Sequence, residues 1–357
     1  MSAHSPDVAQ GVHAPRAAPV ARTILAAILG VLVAAGCFPG RTESTTLGTI
    51  GAGTAQLKVG LGFIPSVQFA PFYLADQAGY YSEAGLEAVF QNENDPNLIT
   101  LVGQGAVDVG VADGTSVISA VAQGIPVRYV TTVYAQSPNV VFAKASSGIR
   151  QPADLRGRKV GTPFRGGSGW VMLQALLRSA DLDIEDIDVV EFSDFGQRVA
   201  VERGVVDAAT GFINNEPVQM ERSGVPVSVL RVDAITPLPG PGLITGEQTL
   251  KGKRDALRAF VKATLRAMAE VAADPQKGLE ATFARVPELA SDRAGQLAVL
   301  EATVATWQSD YTRANGLGAI DEAAWTESVA FMKSLPGGLV ARDVTVDQLV
   351  SEELLGD

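Results

Sequence analysis

Residues 57–81 read "LKVGLGFIPSVQFAPFYLADQAGYY", and the fold is decided here. "LKVGLGF" is an almost continuous apolar run of strand length, the pattern of a strand covered on both faces. Pro71 stands where the first turn of a helix tolerates a missing N–H, and the helix through "PFYLADQA" stops near Gly79. A strand passing through a loop into a helix is half of a βαβ unit. The loop is richer than a plain connection requires, because residues 62–81 hold two prolines and six aromatic rings. Prolines stiffen a loop, so less entropy is lost when it binds something. Flat rings offer apolar surface to a planar ligand. For Phe72, Tyr73 and Tyr80 the simpler role is packing the helix onto the sheet. Phe63, Ile64, Pro65, Gln68 and Phe69 fall at the carboxyl end of the strand, where open α/β sheets bind ligands.

The alternation continues outward from this stretch. "LEAVFQ", "VDVGVAD" and "PVRYVTTVYA" read as strands, separated by the helices "NLITLVGQG" and "GTSVISAVAQG". The rhythm then restarts. "QPADLRG" is a short helix, "RKVGTP" a strand, and "GSGWVMLQALLRSADL" a helix with an apolar stripe at 171, 173, 176 and 177. "IDVVEF", a helix around "GQRVAVERG", "VDAATGFI", a helix from Glu216 and "VSVLRV" follow. Such βαβ rhythm implies parallel sheets covered by helices. "ITPLPGPGLITGE" interrupts it with Pro and Gly. Beyond that lie helices over 253–274 and near 277–285, 291–313 and 321–334. The expected organisation is lobe 1 from 57 to 143, lobe 2 from 144 to 236, and a return to lobe 1 with C-terminal helices from 237 to 357. A cleft would lie between the lobes.

The first 56 residues are of another kind. Arg16 and Arg22 precede "TILAAILGVLVAAGC". A basic region, a short apolar region and small residues before a cysteine describe a secretory signal ending at a lipobox. Residues 1–36 would be the leader, Cys37 the lipid-bearing first residue of the mature chain, and 37–56 a Gly/Ser/Thr-rich tether. An ordinary signal peptide with an incidental cysteine, or an uncleaved anchor, are the alternatives. No other segment is apolar enough over sufficient length to span a membrane.

Removing the leader has chemical consequences. Both histidines, His4 and His13, lie in it, and Cys37 is the only cysteine. The remainder has no material for a Ser-His-Asp triad, a Cys-His pair or a Cys/His zinc site. The expectation is no catalytic residue, no metal and no cofactor. The leader holds two of the 28 basic and one of the 39 acidic residues, so the net charge passes from −11 to −12. An acidic surface disfavours nucleic acid and anionic lipid as partners.

Other strand ends carry further candidates. In "GTPFRGGSGW", Gly167 and Ser168 stand at a helix N-terminus, where backbone N–H groups can grip an oxygen or anion. Arg165 adds a cation and Trp170 a stacking face. The loop lacks the Gly-Lys-Ser/Thr ending of a nucleotide-binding P-loop. In "TGFINNEP", Asn214, Asn215 and Glu216 can donate and accept, and Glu216 suits an amine or ring N–H. Asp113 and Thr115 in "VADGTS", with Ser116, either touch ligand or only cap the next helix. Tyr134 in "TVYAQSPN" is a cleft candidate with a core alternative.

The lipobox, "LGFIPSVQFAPFYLADQAGYYSEAGLE", "QGAVDVGVAD", "ADLRGRKVGTPFRGGSGW" and "DAATGFINNEP" together resemble the solute-binding lipoproteins of ABC importers. The branch is the one that binds the pyrimidine precursor of thiamine, riboflavin, alkanesulfonates and nitrate. The resemblance spans about residues 57–250. It implies an α/β, two-lobe periplasmic-binding-protein (Venus-flytrap, type II) fold with a helical C-terminal tail. It also implies a monomeric, extracytoplasmic receptor tied to the cell membrane only through lipid. Its partners would be a small-molecule ligand and a membrane permease. "GFIPSVQFAPFY" is most similar to the riboflavin-binding group, whose members usually carry Asn at the position of Ser66. The pyrimidine binders and the pyrimidine synthase on the same fold read Pro-Asn-x-x-His, and Phe69 stands at that histidine position. The synthase also needs a cysteine-rich motif that this chain lacks. "FINNEP" resembles the pyrimidine binders' Asn/Glu segment. A flat vitamin is therefore the first expectation, riboflavin before the thiamine pyrimidine, with an anion receptor using Arg165 as the rival.

Overall fold

The structure, a computed structural model, describes residues 54–93, 95–235, 237–335 and 338–356. The leader, Cys37 and most of the tether lie outside the described residues. Among the described residues, ten strands form two five-stranded sheets with the same internal plan. The first contains β1 (Ala55–Leu61), β2 (Leu86–Asn92), β3 (Val109–Asp113) and β4 (Val127–Thr132). The second contains β5 (Asn139–Lys144), β6 (Lys159–Thr162), β7 (Asp188–Glu191), β8 (Ala208–Phe212) and β9 (Val227–Arg231). β10 (Pro241–Gly246) belongs to the first sheet. The orders are β2-β1-β3-β10-β4 and β7-β6-β8-β5-β9.

Neither sheet is purely parallel. β1 pairs in parallel with β2 and β3, but β10 runs antiparallel between β3 and β4. In the second sheet β6 is parallel to β7 and β8, while β5 is antiparallel to β8 and β9. The antiparallel strand is in each case the one that has just arrived from the other lobe. This corrects the all-parallel expectation; "ITPLPGPGLITGE" is where the chain returns to lobe 1, as expected, but it does so as a strand that the sequence reading did not assign. Pro241 is tolerated because it opens its strand. Gly242 is required because a Cβ there would lie 2.1 Å from the Tyr129 ring. The lobe boundary also moves. Residues 139–143 belong to the second sheet, since β5 is buried almost throughout and pairs only with β8 and β9. Among the described residues, 133–138 and the stretches 232–235 and 237–240 lie between strands of different lobes.

Each sheet is sandwiched. One face of the first carries the helices Ala70–Gln77, Arg254–Ala273, Pro275–Arg285 and Arg293–Thr306 around a core of Leu57, Val59, Phe72, Phe260, Leu300 and Trp307. The other face is closed by Leu98, Ile118, Trp325, Met332 and Leu349. The tail is thus part of lobe 1. The helix expected over 291–313 ends at Thr306 and a new one runs Asp310–Asn315. Ser309 caps the second helix by accepting from the Thr312 N–H, with Thr312 Oγ1 accepting from the Ser309 N–H in return. In lobe 2 the stripe Val171, Leu173, Leu176 and Leu177 of the helix Ser168–Arg178 is buried as its spacing predicts. Among the described residues no helix is long and apolar enough to cross a membrane.

Candidate functional site

The carboxyl ends of β1, β3, β6 and β8 open onto one cavity between the two sheets. The room open to the centre of a water-sized sphere is about 120 Å³, several times what a single water needs. Rings from both lobes line it: Phe63, Phe69 and Tyr134 on one side, Phe164, Trp170, Phe195 and Phe212 on the other. Phe63 and Phe195 meet edge to face across the cleft, centroids 4.8 Å apart at 84°. Asn92 Nδ2 donates to the Phe63 carbonyl at 2.6 Å and pins that loop. Phe195 is held at φ +59°, a left-handed conformation that costs a bulky residue roughly 1–3 kcal/mol and clusters at binding sites.

Beneath the rings is a buried polar network. Gln68 Oε1 accepts from Asn214 Nδ2 at 3.0 Å and from the Tyr134 hydroxyl at 3.4 Å. Asn214 Nδ2 also donates to Thr303 Oγ1 at 2.8 Å, and Gln68 Nε2 donates to Ser66 Oγ at 3.2 Å. The polar ends of Gln68 and Tyr134 are thus engaged inward. What Tyr134 presents to the cavity is its ring. Asn214 supports the wall from behind.

A second polar group spans the lobes. Ser168 Oγ, on the first turn of its helix, donates to Asp113 Oδ2 at 2.8 Å and lies 3.2 Å from Asn139 Oδ1. Asp113 Oδ1 and Gln197 Oε1 are buried and have no partner within the protein. Burial pushes the Asp113 carboxyl up to about 6, with Ser168 and Asn139 pulling it partway back. Glu216 is 6% exposed. Burial raises its pKa too, opposed first by the Phe212 N–H, which donates to Oε2 at 2.9 Å. Gly211 makes room for that carboxylate, since a Cβ there would sit 2.7 Å from Oε2.

The structure brings Phe63, Gln68, Phe69, Asp113, Tyr134, Gly167, Ser168, Trp170, Asn215 and Glu216 to the cavity wall. Four other candidates do not line it. Pro65 is exposed beside Ile64 at the lip, Thr115 is buried behind, and Asn214 belongs to the supporting network. Arg165 is not part of the lining: its Nε donates to Glu191 Oε1 at 2.9 Å, and its guanidinium lies over the ring of the wall residue Trp170, 4.9 Å from the centroid. Among the described residues that line the cavity there is no lysine, arginine or histidine. Asp113 stands in the cap position of the next helix without any side-chain cap bond, so capping does not account for it. Phe72 and Tyr73 are core residues, whereas Tyr80 sits under Arg266, 3.5 Å from its ring centroid, and donates to Glu270.

Sequence reasoning missed Asn139, Thr162, Phe164, Phe195, Gln197, Thr210 and Phe212. Phe164 and Phe212 lie inside loops already singled out, next to the residues chosen. Phe195 and Gln197 come from "FSDFGQR", the loop after β7. Its signal was an aromatic residue before a glycine at a strand's carboxyl end.

The comparisons agree with this architecture. The riboflavin-binding protein RibY of Chloroflexus aurantiacus is 33% identical over 304 residues, 84% of this chain and 86% of that protein. The 4-amino-5-hydroxymethyl-2-methylpyrimidine phosphate synthase of Legionella pneumophila is 30% identical over 227 residues, 61% of this chain and 70% of that protein. Among solved structures, the alkanesulfonate-binding protein SsuA from Xanthomonas axonopodis pv. citri bound to MOPS shares the fold, with a TM-score of 0.60 at 20% identity over 81% of this chain and 98% of that one. The family described as NMT1/THI5 like matches residues 66–278. On these matches and this fold, the chain belongs to the NMT1/THI5-like family.

Proposed function

We propose that the chain is the substrate-binding component of an ABC importer, capturing a small planar heteroaromatic vitamin or precursor and delivering it to a membrane permease. Riboflavin is the first assignment and the thiamine pyrimidine precursor the second. The observation that carries this reading is the cavity between two sheets, walled by rings from both and lined by no cation. Rings on opposing walls suit a flat ligand held between them. The riboflavin-binding relative supports the choice by its identity across most of both chains. In this reading Cys37 carries lipid and holds the receptor, as a monomer, on the outer side of the cell membrane.

The rival readings have less support. An anion receptor would need positive charge at the cavity, yet Arg165 is spent on Glu191 outside it. A pyrimidine synthase would need chemistry that this chain does not carry beyond its leader. Residues 38–357 contain no histidine and no cysteine, and Phe69 occupies the position where the resemblance places a histidine. The test is titration of the purified protein with riboflavin, following quenching of flavin fluorescence, alongside the visible absorbance of the protein as isolated. Saturable quenching at micromolar concentration or below is the expected result. No quenching, with saturable heat from the aminopyrimidine instead, transfers the assignment to the second ligand. Saturable heat only from a sulfonate or nitrate refutes the reading.

A further inference from the structure

Among the described residues the cavity lining holds two carboxylates and no basic side chain, though Arg198 lies near enough to Glu216 to act on its charge. Asp113 and Glu216 both line it, each more than nine-tenths buried. Asp113 Oδ2 is occupied by Ser168, but Oδ1 has no protein partner. Gln197, 1% exposed, also belongs to the lining, and its Oε1 has no protein partner. A buried acceptor without a donor is costly, so such atoms in a binding cavity mark where a ligand donor belongs.

Resting on the vitamin-receptor reading, we propose that Asp113, with Glu216 as second charge, makes the site a charge filter. It accepts an uncharged heteroaromatic ligand that brings O–H or N–H donors, and it rejects the phosphate ester of the same ligand. Asp113 Oδ1 is the acceptor for one ligand donor. A phosphate carries close to two negative charges at neutral pH. In a largely buried cavity these charges would be repelled by Asp113 with little screening, and less by Glu216, whose charge Arg198 partly offsets. The phosphate oxygens would also find no arginine or lysine, the usual partners of such groups. The ring-stacking surface is common to both forms of the ligand, so the discrimination falls on the carboxylates.

The experiment compares riboflavin with riboflavin 5′-phosphate on the purified full chain by titration calorimetry, for the wild type, Asp113→Asn and Glu216→Gln. Circular dichroism checks that each variant is folded. The expected result is that wild type binds the phosphate at least about a hundredfold more weakly than riboflavin. At least one isosteric variant should narrow that ratio tenfold or more. Affinities within threefold of each other in wild type would overturn the filter, and so would a ratio that neither variant moves. Failure of both flavins to bind would instead sink the flavin assignment. The filter is then decided on 4-amino-5-hydroxymethyl-2-methylpyrimidine and its phosphate by the same ratio. Binding of an alkanesulfonate in place of every neutral compound would overturn both.

Discussion

Asp113→Asn should stabilise the ligand-free protein at pH 8, and the size of the gain follows from the site. Asp113 is buried at the end of β3 with a carboxyl pushed up to about 6 from an ordinary 3.8. An acid whose pKa is higher in the folded chain binds more protons folded than unfolded between those values. Stability is therefore greatest below about pH 4 and falls as pH rises through 6. A gap of roughly two pH units at 1.36 kcal/mol each makes ionised Asp113 cost about 3 kcal/mol at pH 8. Asparagine removes the charge at nearly the same volume. Its amide oxygen can still accept from Ser168 Oγ, which donates to the Asp113 carboxylate at 2.8 Å. Tyr129 and Tyr134, which Asp113 drives further upward, remain neutral throughout this range. Calorimetric melting at pH 4, 6 and 8 should show a Tm gain of roughly 5 °C at pH 8, shrinking toward zero at pH 4. A variant that melts lower than wild type at pH 8 would refute the reasoning, as would a difference independent of pH. The same variant should bind ligand less well, the exchange of stability for function typical of binding sites.

Other outcomes are expected. Phe69→Ala should weaken binding of the flat ligand about tenfold to a hundredfold, while Arg165→Ala, removing a guanidinium held outside the cavity by Glu191, should leave it within threefold; calorimetry on both variants at low and high salt checks this. Phe195→Ala, which removes the ring that meets Phe63 but keeps the Cβ that makes the positive φ costly, should raise the ligand off-rate about tenfold in stopped-flow traces and lower Tm slightly, whereas Phe195→Gly should raise the off-rate equally and recover part of that Tm loss. Cys37→Ser should move the mature chain from the membrane to the soluble fraction; wild type that is already soluble and carries no lipid by mass spectrometry would end the anchor proposal. Small-angle scattering should give a smaller radius of gyration with ligand bound, the two crossing segments acting as a hinge.

Most of the fold was legible because its buried parallel strands read as apolar runs between amphipathic helices. β5 and β10 were not. Each follows a Pro-containing segment, and what makes it a strand is a slot in a sheet built from distant sequence. The tail helix was overextended because the apolar run continues through Trp307, while the local cap at Ser309 carries little weight in a periodicity count. At the site, loops just after strands led to Phe63, Ser168 and Glu216, which line the cavity. Arg165 misled because its partner Glu191 lies 26 residues away, and no local pattern announces such a pair. Asn214 and Thr115 show the other limit, since which of several adjacent polar residues faces a cavity depends on the exact turn of the backbone.

The antiparallel placement of β10 has a consequence for how the chain reaches its native state. The first sheet has its fourth position filled by residues 241–246, and Thr245 Oγ1 donates to the Asp108 carbonyl 137 residues away. Until that strand arrives, β3 and β4 have no common neighbour, and each presents an unpaired edge. The second sheet has no such debt, because β5 through β9 are contiguous in the chain. Lobe 2 can therefore close while lobe 1 waits, its edges open to other chains. Pairing over so long a separation is slow, and open edges are where chains associate. The order of assembly is thus written into the topology: the later lobe first, then the earlier one, sealed by a strand delivered after a detour through its partner.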